Sequence, residues 1–89
     1  MTDTLTLTHP ALAHWRARDA NKHLTSERLQ SAIDAGYDWI AEHAPDASPF
    51  VKTSIAILFV QFTYENDPGD RLLLRNCIDL YMEMAHATP

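Results

Sequence analysis

Apolar residues recur along most of this chain at spacings of three and four, the period of a helix packed on one side. Leu29, Ile33, Tyr37, Ile40 and Ala44 make one clean face. Thr25 or Ser26 is placed to accept the first free backbone N–H groups, and Glu27 suits the positive end of the helix dipole. The pattern predicts a helix over 25–44, stopped by Pro45. Gly36 lies in its middle, where glycine costs about 1 kcal/mol relative to alanine, and so marks close helix packing.

The next segment differs in kind. Ser48 as N-cap and Pro49 at the first helical position open a run whose apolar residues fall on every side. Phe50, Val51, Ile55, Ala56, Ile57, Leu58, Phe59, Val60, Phe62 and Tyr64 leave little polar surface. A strand is the rival reading, because Ile55 to Tyr64 is rich in β-branched and aromatic residues. Sixteen residues between capping signals favour a helix over 49–64. Such a helix is normally buried all round.

Asp67-Pro68 repeats the cap-and-proline start, strengthened by Asp70, and predicts a helix over 68–86. Its expected inner face is Leu73, Leu74, Cys77, Ile78, Leu80, Tyr81 and Met84, with Arg71, Arg75, Asp79 and Glu83 opposite. Pro10 opens a further helix over about 10–22 with a thin stripe of Leu12, Trp15 and alanines. Residues 1–8 alternate as Thr4-Leu5-Thr6-Leu7-Thr8 and read as an extended arm packing on the body or on a second subunit. The expectation is an all-α fold: a single domain over 1–89, a compact bundle of about four helices with a short N-terminal extended arm.

Size sharpens this picture. A chain of 89 residues buries only about 60–65% of the surface it exposes when unfolded, so a disulfide, a metal or a partner is commonly needed. The single cysteine, Cys77, excludes an internal disulfide, and on an apolar helix face it serves as a small hydrophobe. In a bundle of this size the 49–64 helix is covered on two or three sides only, which leaves an apolar face for an interface. Covering about 600 Å2 at roughly 25 cal/mol per Å2 gives a gross gain near 15 kcal/mol before association costs. Phe50, Ile55, Phe59 and Phe62 are the candidate interface residues on that helix, and Trp39, off the main face of its own helix, is a second anchor.

Charge narrows the partner. Seven basic residues against twelve acidic give −5, unfavourable for nucleic acid or anionic lipid. Residues 1–23 carry +1 (three bases, two acids) and residues 24–89 carry −6 (four bases, ten acids). Asp34, Asp38 and Glu42 recur at i, i+4, i+8 as an acidic row whose mutual repulsion a basic partner surface would relieve. The longest uncharged run, Thr53 to Tyr64, is twelve residues against the roughly twenty needed to span a bilayer. The start lacks a basic and apolar leader pattern, and with the lone thiol this points to the cytoplasm.

Catalytic chemistry finds little support. His9, His14 and His23 lack the i, i+3 or i, i+4 spacing that turns two imidazoles to one metal. Glu83-Met84-Ala85-His86 matches one half of a di-iron unit, but such sites require two copies and further glutamates. Ala13-His14-Trp15-Arg16 lacks the lysine a phosphotransfer histidine wants three places on, where Ala17 stands. No glycine-rich phosphate loop, nucleophile elbow or zinc-finger spacing occurs. The expectation is therefore no catalytic residue, cofactor or metal, and a regulatory or adaptor protein that binds another protein, most simply as a homodimer. Small acidic helical proteins of this character in bacteria include anti-activators, which block a transcription regulator. The alternative is a ligand-binding bundle or enzyme with a pocket lined by Trp15, Tyr37, Trp39 and Tyr81. A nucleic-acid module using Arg16, Arg18 and Lys22 is the weakest reading.

Overall fold

A computed structural model describes residues 5–87. Four α-helices follow one another: α1 (Pro10–Arg16), α2 (Ser26–His43), α3 (Pro49–Tyr64) and α4 (Pro68–Ala87), with a 3-10 turn at Asp19–Asn21 between the first two. Among the described residues there is no strand, and the fold is an all-α bundle. The capping signals act as their chemistry dictates. Thr25 Oγ1 accepts the Arg28 N–H at 3.2 Å, Ser48 Oγ accepts that of Val51 at 3.3 Å, and Asp67 Oδ2 accepts that of Asp70 at 2.9 Å. His9 Nδ1 does the same for Ala11 at 3.2 Å, ahead of Pro10.

Two features depart from expectation near the amino end. The first helix stops at Arg16 instead of running to Lys22. Only Leu12 and Trp15 of α1 reach the core, and Ala17 to Ala20 are all exposed, so nothing rewards another helical turn. Asn21 instead donates its amide to the Trp15 carbonyl at 2.9 Å and turns the chain back toward α2. The predicted arm lies partly outside the described residues, since 1–4 are not among them. Leu5 is buried, and its N–H donates to Tyr37 Oη at 2.8 Å. Thr6 to His9 form a turn closed by the His9 N–H on the Thr6 carbonyl.

The core is built around α3. Ile55, Ala56 and Val60 have no exposed surface, and they meet Leu29, Ile33 and Ile40 of α2 and Leu12 of α1 in one cluster. A Cβ on Gly36 would touch the Phe59 ring and Cβ at 3.4 Å, so the missing side chain lets α3 lie close on the α2 backbone. Tyr64 donates its hydroxyl to the Arg28 carbonyl at 2.9 Å and its ring lies 6.5 Å from Trp15, tying the end of α3 to α1 and α2. Arg71, read from the sequence as an outward residue, is half-buried instead. Its Nη1 donates to the carbonyls of Phe62 at 2.8 Å and Glu65 at 2.9 Å, and its guanidinium sits 4.1 Å above the Phe62 ring. It satisfies the open carbonyls at the end of α3 and sets the turn into α4.

The molecule measures 42 × 33 × 20 Å, room for two layers of helices about 10 Å across. α2 and α4 both pack on α3, and α4 packs chiefly there. With one main neighbour, α4 buries one stripe: Ile78 fully, with Leu74, Tyr81, Met82 and Ala85 half-buried. Leu73, Leu80 and Met84, expected inside, are 62%, 60% and 50% exposed, and Leu72 is 62% exposed. The apolar surplus therefore lies on α4. On α3, Ile57, Leu58, Phe59 and Phe62 are half-covered, and Phe50 alone is widely exposed. In urea titrations Ile55→Ala is expected to lower stability by about 2–5 kcal/mol. Leu72→Ala is expected to change it by less than about 0.5 kcal/mol, and a comparable loss at both sites would contradict this packing.

Candidate protein-interaction surfaces

Three of the sequence-predicted interface residues come together. Trp39 from α2 and Phe59 and Phe62 from α3 line an open groove of about 340 Å3, closed on the far side by Arg75, Ile78 and Asp79 of α4. Its walls exist because α2 and α4 flank α3 without meeting over it. Trp39 is half-buried, 6.2 Å from the Phe59 ring and stacked at 4.5 Å on His43 one turn later. His43 Nδ1 lies 2.9 Å from the Trp39 carbonyl, which holds the stack in place.

The acidic row runs along the exposed side of the same helix. Asp38 precedes Trp39 and Glu42 follows it by three positions, with Asp34 one turn earlier. Gln30 Nε2 donates to Asp34 Oδ1 at 3.0 Å. Among the described residues the ion pairs are Lys22–Asp19 at 3.0 Å and Arg75–Asp79 at 3.8 Å, both solvated, and neither involves this row. Arg16 is engaged elsewhere, donating to Ser26 Oγ at 3.1 Å. Asp38 and Glu42 are thus neighbours of Trp39 along α2, while the groove itself is lined by the Arg75–Asp79 pair.

The remaining predicted residues separate. Ile55 has no exposed surface and belongs to the core, where its position on the inward side of α3 puts it. Phe50 is 66% exposed but lies away from the groove, edge-on to Tyr81 at 6.4 Å. Leu73, Leu80 and Met84 were missed as surface residues, although their signal was present. α4 carries two parallel stripes at identical spacing, Leu74-Ile78-Tyr81-Ala85 and Leu73-Cys77-Leu80-Met84. The structure buries the first against α3 and leaves the second outside, with Cys77 half-buried between them.

The four aromatics of the pocket reading do not converge. Trp15 neighbours Tyr64, Tyr37 holds Leu5, Trp39 lines the groove and Tyr81 meets Phe50. Two clefts of about 300 and 390 Å3 do flank Trp15; both are lined by Arg18, Glu65 and Asp70, and the first also takes in Leu73 and Leu74 of α4. Among the described residues no group of three or more His, Cys, Asp or Glu is placed to hold a metal, and no helix is long and apolar enough to cross a membrane.

Comparison with protein-family models, curated proteins and solved structures finds no match to this chain. The surfaces themselves carry the functional reading. The acidic row makes a direct prediction about Trp39. In Trp15→Phe protein, which leaves Trp39 the sole tryptophan, the ratio of caesium to iodide quenching should exceed the ratio for a free tryptophan amide in the same salt. A ratio equal to or below that of the free amide would show that the negative field does not reach the groove.

Proposed function

We propose that this chain is a non-enzymatic regulatory or adaptor protein that acts in the cytoplasm by binding another protein through the Trp39–Phe59–Phe62 groove. The occupant is a basic amphipathic helix: apolar side chains enter the groove, and Lys or Arg residues on its flank meet Asp34, Asp38 and Glu42. The observation that carries this reading is the pairing of a half-open aromatic groove with an acidic row that no basic residue of the described chain neutralises. Aromatic anchors in partly desolvated pockets carry most of an interface's energy, and the surrounding charge governs encounter rate and selectivity. A transcription regulator fits this chemistry, because its DNA-facing helices are basic on one side and apolar on the other. Masking such a helix would make the chain an inhibitor of the anti-activator kind.

Affinity capture from the native cell, followed by titration of the purified captured protein, tests the reading. Trp39→Ala should weaken that binding by about 30-fold or more. Asp38→Lys with Glu42→Lys should slow association and flatten its salt dependence. A partner that binds all these variants as it binds the natural chain would overturn the assignment, as would one whose contact surface is acidic.

A further inference from the structure

The outer stripe of α4 is a separate surface and takes a different partner. Leu73, Cys77, Leu80 and Met84 follow one another at steps of four, three and four, the repeat of the seam between two paired helices. The stripe runs for three turns without a charged residue in it. Tyr81 and Leu74 border it on the side toward α3, where the exposed Phe50 ring extends the apolar area by its edge contact with Tyr81. Asn76 and Glu83 border it on the other side, both exposed. Arg75, Ile78 and Asp79, which wall the groove, point away from it around the helix.

We infer that a second copy of this chain covers the stripe, with the two α4 helices antiparallel across a two-fold axis. Two features fit the second copy, the register of the stripe on itself and the area it exposes. A two-fold axis midway between Ile78 and Asp79 lays Leu73 of one copy over Met84 of the other, and Cys77 over Leu80. The same register brings each Asn76 amide toward the other copy's Glu83 carboxylate, so the one acidic flank is met by a donor, twice. The exposed parts of Leu73, Leu80, Met84 and Phe50, with those of Cys77 and Tyr81, come to about 500–600 Å2 per copy, or about 1,000–1,200 Å2 in total. That reaches the lower bound for a specific interface, about 1,000 Å2. Antiparallel alignment also opposes the two helix dipoles favourably. The dimer leaves both Trp39 grooves open, so it stands or falls independently of the target-binding reading.

Sedimentation equilibrium over a dilution series of the full chain reads the outcome. The natural chain is expected to sediment at twice its 10.1 kDa and Leu80→Glu at 10.1 kDa with unchanged helical circular dichroism. Leu80 is exposed in the single chain, so its charge does not threaten the fold. Trp39→Ala is expected to remain dimeric, which separates this surface from the groove. Oxidation tests the register: in a Cys77→Ser background, Leu73→Cys with Met84→Cys should form an intermolecular disulfide, while the natural chain, whose two Cys77 residues are offset along the seam, should not. A natural chain that is monomeric throughout, or a Leu80→Glu variant that stays dimeric, overturns the proposal. Linking of the natural chain through Cys77, or no linking of the Leu73→Cys, Met84→Cys variant, overturns the antiparallel register.

Discussion

The arrangement rests on the packing of α3, the one helix that every other helix touches. Its Ile55, Ala56 and Val60 are sealed from water by α2 and α1, and its opposite flank supports α4. The approach to α2 is close because Gly36 leaves space for Phe59. In a molecule two helix layers deep, a helix that is apolar all round attracts neighbours on two flanks, and each neighbour then has its own outer side to account for. α2 meets that demand with Asp34, Asp38 and Glu42. α4 meets it only in part, because its second apolar stripe stays largely exposed, with Leu73 at one end facing a cleft toward α1.

Much of this was legible in residue order. Ser48-Pro49 and Asp67-Pro68 announced their helices because an oxygen acceptor followed by proline meets the needs of a helix start through local chemistry alone. The face Leu29-Ile33-Ile40 was equally plain, since its period requires no knowledge of its partner. The end of α1 was not readable, because Ala17 to Lys22 contains no glycine or proline, and the stop depends on burial ending at Trp15 and on Asn21 folding back. Arg71 looked like a solvated charge, and only the turn from α3 to α4 shows the carbonyls it serves.

The candidate surfaces were partly legible for the same physical reason. Trp39, Phe59 and Phe62 were chosen singly, and tertiary structure alone puts them in one groove. Ile55 was placed in the same set because periodicity cannot say which side of a uniformly apolar helix faces inward. The largest shift concerns α4. Two stripes of equal spacing read as one broad inner face until the neighbours are known, and among the described residues α3 is the main one. Apolar surface expected on α3 is thereby carried by Leu73, Leu80 and Met84, on the far side of α4 from the groove. The two surfaces are thus separate, and a substitution on one can be tested without disturbing the other.

Among the described residues the outward stripe of α4 exposes more apolar surface than α3 does. Methyl NMR spectra recorded across a dilution series test it residue by residue. Concentration-dependent shifts are expected at Leu73, Leu80 and Met84, with Leu12, Leu29 and Ile55 unchanged. Spectra independent of concentration throughout, or shifts confined to residues around Trp39 and Phe62, would contradict it.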